Sequence, residues 1–227
     1  MTDLVVIVPS RGRPAAARDL ALAFTDTVAS ARLVFAVDAD DPTRFSYAEA
    51  LSSYPWTTVH WAPAPSTMVK TLNVAANLFV NETYAIGFMG DDHRPRTRKW
   101  DQLYVEALRE LGTGIVYGND LLQGERIPTQ VAMTSDIVRA LGHMAPPPLT
   151  HLYVDNYWRD LGEAAGCLRY LPDVVVEHMH PVAGKADWDE GHVRVNQPSM
   201  YQRDAEAYGR YVTEHFAADL AKVQALR

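Results

Sequence analysis

Short apolar runs alternate with stretches of helical periodicity through the first half of the chain, and this alternation constrains the fold more than any other feature. Residues 4–8 (LVVIV) are apolar at every position, as in a strand covered on both faces. Ser10-Arg11-Gly12-Arg13 breaks the run, and Pro14 suits the first position of a helix. That helix is expected over 15–29, with Leu20, Phe24 and Val28 on one stripe. Further strands are expected at 33–37, 57–61, 84–89 and 114–117. Helices are expected near 43–54, after a capping Ser66, and over 100–111. Strands and helices in this order imply βαβ units. The expected fold class is a single α/β domain with a mixed, mostly parallel central sheet flanked by helices.

The second half is less regular. A strand at 129–133 leads to a helix capped by Thr134 or Ser135 and ending at Gly142. A stiff loop follows at 146–148, then a helix over 154–165 and two strands at 167–171 and 174–178. Residues 181–198 have little periodicity; loops of this length are commonly functional, and a lid is expected here. Residues 199–227 read as a C-terminal helix.

At 227 residues and 48% hydrophobic, the chain is long and apolar enough for one domain with a real core. Its apolar runs fall far short of the ~20 residues of a membrane span. No basic leader with a cleavage site precedes the first strand, so a soluble, cytoplasmic protein is expected. One cysteine, Cys167, rules out an internal disulfide and a multi-cysteine zinc site. A net charge of -7 argues against broad electrostatic binding of nucleic acid.

Ligands of open α/β sheets gather at the carboxyl ends of the strands. Three such ends carry polar clusters here: Pro9-Ser10-Arg11, Asp38 to Asp41, and Asp91-Asp92-His93. Adjacent carboxylates repel unless a cation or hydrogen bonds offset them. A divalent ion does so and can bridge to a diphosphate. The basic run Arg94, Arg96, Arg98, Lys99 reads as a solvated loop. His178 and His180 would share one face if their strand continued past His178, adding imidazole to carboxylate, a combination suited to Mn²⁺. Asp155, in the first turn of a helix, either favours the helix dipole or serves as a general base.

In order and spacing, these residues resemble the GT-A glycosyltransferases, most closely the family 2 group, over about residues 4 to 180. Val5-Val6-Ile7-Val8-Pro9-Ser10-Arg11-Gly12-Arg13 is similar to the family's first strand and nucleotide loop. Asp38 matches its base-binding acid, and Lys70-Thr71-Leu72-Asn73-Val74-Ala75 its Lys-x-x-Asn-x-Ala helix. Asp91-Asp92-His93 falls where the DxD-type motif belongs, although it reads Asp-Asp-His. Arg139 to Gly142, then Val154-Asp155 and Trp158, resemble the acceptor half, with Val154 in place of the usual Glu.

The resemblance implies a metal-dependent transfer of a single sugar from a UDP- or GDP-sugar to a hydroxyl acceptor, with inversion. Pro9, Ser10, Arg11, Arg13, Asp38, Asp40, Lys70, Asn73 and Asp91 would bind the donor. Asp92, His93, His178 and His180 would hold Mn²⁺ or Mg²⁺, and Asp155 would be the base. Residues 1–117 would form the nucleotide-sugar half and 118–180 the acceptor half. The alternatives are a non-catalytic nucleotide- or sugar-binding module of the same fold, and a retaining or DNA-modifying transferase.

Overall fold

Residues 3–64 and 66–227 are described by a computed structural model. Strand β1 (Leu4–Ser10) leads into α1 (Pro14–Thr25), which starts at Pro14 and stops before Val28. Then come β2 (Arg32–Asp38), α2 (Arg44–Leu51), β3 (Thr57–Ala62) and α3 (Met68–Phe79). The cap of α3 is Thr67, not Ser66: Thr67 accepts the Lys70 N–H, while Ser66 Oγ bonds Thr71 Oγ1 at 2.7 Å. Next are β4 (Ala85–Phe88), β5 (His93–Pro95), α4 (Trp100–Leu111), β6 (Ile115–Asn119), β7 (Val131–Thr134) and α5 (Ser135–Leu141). The chain ends with α6 (Val154–Ala164), β8 (Leu168–His178), α7 (Glu190–Val195), α8 (Pro198–Glu214) and α9 (Phe216–Gln224).

The eight strands form one sheet in the order β3-β2-β1-β4-β7-β6-β8-β5. The first four are mutually parallel, β7 runs antiparallel to both β4 and β6, and β8 is parallel to β6. This is the mixed, mostly parallel sheet expected. Alternate residues of β1 supply two cores: Val5 and Ile7 face α3, α5 and α6, whereas Leu4, Val6 and Val8 face α1, α2 and α4. A fully buried aliphatic side chain contributes ~1.5–3 kcal/mol, which explains the uninterrupted apolar reading of β1.

Three further expectations need correction. The two strands at 167–171 and 174–178 are one, β8; its pairing with β6 jumps from Gly118↔Leu171 to Asn119↔Val175, and Pro172 occupies the resulting irregularity. A Cβ on Gly118 would meet the Val174 carbonyl and the Tyr104 hydroxyl, so only glycine admits this approach. The basic run is no solvated loop throughout: Arg94 to Pro95 pair with β8, Arg94 Nη1 donates to the carbonyls of Asp91 and His93, and Arg96 pairs with Glu177 at 2.8 Å. The C-terminal helix is two helices broken at His215. Tyr157 and Tyr211 both donate to buried Asp219 and fasten α9 to α6 and α8.

Candidate active site

The carboxyl ends of β1, β2 and β4 open on a cavity of about 770 Å³. All the expected site residues except Lys70 and Asn73 line it. On the β2 side, Arg11 Nη1 bridges Asp38 (3.0 Å) and Asp40 (2.5 Å), and Thr71 Oγ1 donates to the other oxygen of Asp38. Pro9 and Ser10 form the floor beside them. Asn73 turns away: it accepts from the Met144 and Ala145 amides and donates to the Ala145 carbonyl, fixing the loop after α5. Arg139 likewise donates to Val80 O.

Asp91 is buried, and accepts from Ser10 Oγ at 2.5 Å and Arg13 Nη1 at 2.6 Å. Burial pushes its carboxyl up to about 6; Arg13 opposes this and Asp92 adds to it. Asp92 behaves oppositely. Burial would raise it, but the imidazoles of His178, His192 and His93 outweigh burial and hold it well below the usual range.

Those imidazoles converge on Asp92. His178 Nε2 lies 3.3 Å and His192 Nε2 3.4 Å from Oδ2, and His93 Nδ1 lies 3.5 Å from Oδ1. Ligand atoms of Asp92, His93 and His178 all fall within 4.8 Å of one another. A Cβ on Gly90 would stand 2.6 Å from Asp92 Oδ1, so glycine keeps this hollow open. One carboxylate with two imidazoles suits a first-row divalent ion such as Mn²⁺ better than Mg²⁺, and these residues fit such a cation. Burial would lower the His178 pKa, but the facing carboxylates of Asp120 and Asp92 carry it up to about 9.

His180 is placed differently. The strand ends at His178, so the two histidines do not continue one face. His180 Nδ1 accepts the Val182 N–H at 3.2 Å and caps a short turn (Pro181–Ala183), and its ring packs against Trp188 and His192. It lines the cavity but stands outside the Asp92, His93, His178 group.

Asp155 lies in the first turn of α6 and also lines the cavity. Burial raises its pKa, and the Asn156 N–H at 2.9 Å opposes the rise. Tyr153, before α6, holds a left-handed conformation (φ 64°) and stacks on Tyr208 of α8 with ring centroids 5.8 Å apart. This contact sets the direction in which the helix carrying Asp155 starts. Asp204 of α8, fully buried, accepts the N–H groups of Thr150, His151 and Leu152 and orders the preceding loop.

Sequence reasoning missed His192, Asp189, Asp120 and Thr129. Each meets the site through contacts distant in sequence; only Asp189, three residues before His192 at the start of α7, carries a readable cap signal.

No protein-family model and no curated protein matches the chain. Solved structures do. The mannosyltransferase PcManGT from Pyrobaculum calidifontis, in complex with GDP-Man and Mn²⁺, superposes with a TM-score of 0.61 at 14% identity, covering 99% of this chain and 73% of that one. S. aureus TarS gives 0.60 at 13% identity, covering 93% of this chain, and its 1–349 fragment gives 0.59 at 14%. The fold is GT-A-like. At these identities the likeness is one of fold, and the chain spans 44% of the length of TarS. In GT-A terms, the Asp91-Asp92-His93 turn lies between β4 and β5, beside the loop that follows β1. Among the described residues no helix is long and apolar enough to cross a membrane.

Proposed function

We propose that this chain is a glycosyltransferase that moves a single sugar from a UDP- or GDP-sugar to a hydroxyl acceptor, with a divalent metal and with inversion. The observation that carries the reading is the convergence of Asp92, His93 and His178 in the same cavity as Asp155. Asp92, His93 and His178 would hold Mn²⁺ or Mg²⁺, with His180 at the margin of the site. When bound there, the ion would offset the charge of the diphosphate as the glycosidic bond breaks.

The chain's own residues divide the remaining work. Asp38, Arg11 and Asp40 supply hydrogen-bonding groups to the nucleoside beside Pro9 and Ser10. Asp91, fixed by Ser10 and Arg13, presents a carboxyl beside the sugar-phosphate. Asp155 removes the proton of the acceptor hydroxyl, whose oxygen attacks the anomeric carbon from the face opposite the departing phosphate oxygen. Burial makes Asp155 a stronger base than a solvated aspartate. Residues 181–198 supply a wall through His192 and Arg194 and act as a lid that excludes water.

The test is to incubate the chain with UDP- and GDP-sugars, Mn²⁺ and a panel of simple glycoside acceptors, and to follow donor consumption and product configuration by NMR. Metal-dependent transfer or slow donor hydrolysis, with an inverted product, supports the reading. Tight nucleotide binding without either reaction contradicts it and makes the chain a binding module.

A further inference from the structure

We infer that Asp120 is a positioning residue that holds the proton of His178 on Nδ1, the nitrogen turned away from Asp92, leaving the Nε2 lone pair for a cation. The inference rests on the cation-binding reading above. Asp120 directly follows β6 and is 1% exposed. Its Oδ1 accepts the N–H groups of Leu122, Gln123 and Gly124 at 2.9, 2.7 and 2.9 Å. Its Oδ2 accepts the Thr129 hydroxyl at 2.8 Å. The carboxylate is therefore fixed in orientation, and its carbonyl ties down the end of β8 by accepting the His178 N–H at 3.0 Å.

The His178 imidazole answers to it. His178 Nδ1 is buried and has no hydrogen-bond partner, a costly state for a ring nitrogen. It faces Asp120 Oδ2 at 3.9 Å, too far for a hydrogen bond but within a small ring movement of one. With the Nδ1 proton directed at Asp120, Nε2, on the Asp92 side, is the nitrogen that would give up its proton to a cation. In His93 the proton is located by a different contact. The Gly90 N–H donates to His93 Nδ1 at 3.0 Å, so Nδ1 carries no proton and Nε2 does. That Nε2–H faces Thr129 Oγ1 at 3.5 Å. Thr129 has already given its own proton to Asp120, so its oxygen is left to accept.

The two rings stack with centroids 4.3 Å apart and an interplanar angle of 18°, so orienting one constrains the other. One carboxylate thus governs the His178 proton, whereas in His93 the Gly90 N–H fixes the proton on Nε2 and occupies the Nδ1 lone pair. Carboxylates that accept the outer N–H of a metal-binding imidazole commonly set its tautomer, and their loss costs ~10–100-fold in affinity.

Asp120→Asn tests this. The amide carbonyl can keep the three backbone N–H bonds, so the turn survives, while the NH₂ replaces Oδ2 and presents donors to His178 Nδ1 and Thr129. The His178 proton is then driven to Nε2, on the Asp92 side. Mn²⁺ affinity of the whole chain, measured by electron paramagnetic resonance without nucleotide, should fall ~10–100-fold with the circular dichroism spectrum unchanged. In ¹⁵N-labelled protein loaded with diamagnetic Zn²⁺, His178 should carry its proton on Nδ1 in the parent and on Nε2 in the variant. The parent chain provides a second reading: a proton found on His178 Nε2 in the Zn²⁺-loaded parent overturns the inference even if Asp120→Asn fails to fold. Unchanged affinity, or weakened affinity with protons in their parent positions, overturns the inference and leaves the cation reading standing. A parent chain that binds no Mn²⁺ overturns both.

Discussion

Arg13 and Asp189 are joined by an ion pair of 2.9 Å that fastens residues 181–198 to the loop after β1. The same Asp189 accepts the His192 N–H at 2.8 Å and so caps α7, which delivers His192 to within 3.4 Å of Asp92. Arg13 in turn reaches Asp91 at 2.6 Å. One guanidinium therefore connects the paired carboxylates to the segment that covers them.

The pair is partly solvated, and such pairs contribute only ~0.2–1 kcal/mol, so it would offer little resistance to a lid movement of the segment. Trypsin should cut at Lys185 and Arg194 more slowly when UDP or GDP is present with Mn²⁺. Asp189→Asn should speed cutting in their absence. Equal cleavage rates with and without nucleotide contradict a lid.

Asp155→Asn keeps the shape of the first turn of α6 but cannot take a proton. Donor affinity should stay within about twofold, and transfer should fall by at least ~10²-fold. A variant that transfers sugar at the parent rate removes Asp155 from the reaction.

The parallel half of the sheet is legible because βαβ units write their elements locally: the helix expected at 100–111 is α4 to the residue, and the strands at β1 and β2 differ only at their ends. The strand β5 is not legible, since three residues pairing with the end of β8 carry no period of their own. Pro172 misleads by marking a break where the chain only bulges. The rim residues Ser10, Asp38, Asp91 and Asp92 are readable because strand ends of this sheet gather at one place. His192 and Asp120 are not, because nothing in their neighbours encodes a contact made across the fold with Asp92 or His178.

Asp204 binds three backbone N–H groups of the loop before Asp155 while fully buried. Asp204→Ala leaves those donors without a partner. Urea unfolding should show a loss of about 2–4 kcal/mol, the scale of breaking several charge-assisted bonds in a buried place. A loss under about 0.5 kcal/mol contradicts the role given to this contact.

His151, on the cavity wall, is held neutral: burial lowers its pKa to about 4, against the opposing pull of Asp204. The unfolded chain has the ordinary value of 6.5 and so binds more protons than the folded one between pH 6.5 and 4. Its contribution to stability is complete above pH 6.5, shrinks as pH falls through this window, and is flat below pH 4. The change is at most ~3 kcal/mol. His151→Gln should flatten the pH dependence of urea unfolding across that window; an unchanged slope shows that His151 is not held neutral.

Asp92 and its imidazoles are proposed to make nucleoside-diphosphate binding depend on a divalent ion. Isothermal titration of UDP and GDP into the whole chain, with and without Mn²⁺, tests it most directly. The expected result is binding of at least one nucleotide that needs Mn²⁺ and is lost in Asp92→Ala, with the fold intact by circular dichroism. Binding of equal strength without metal, or an Asp92→Ala variant with parent affinity for Mn²⁺, contradicts it.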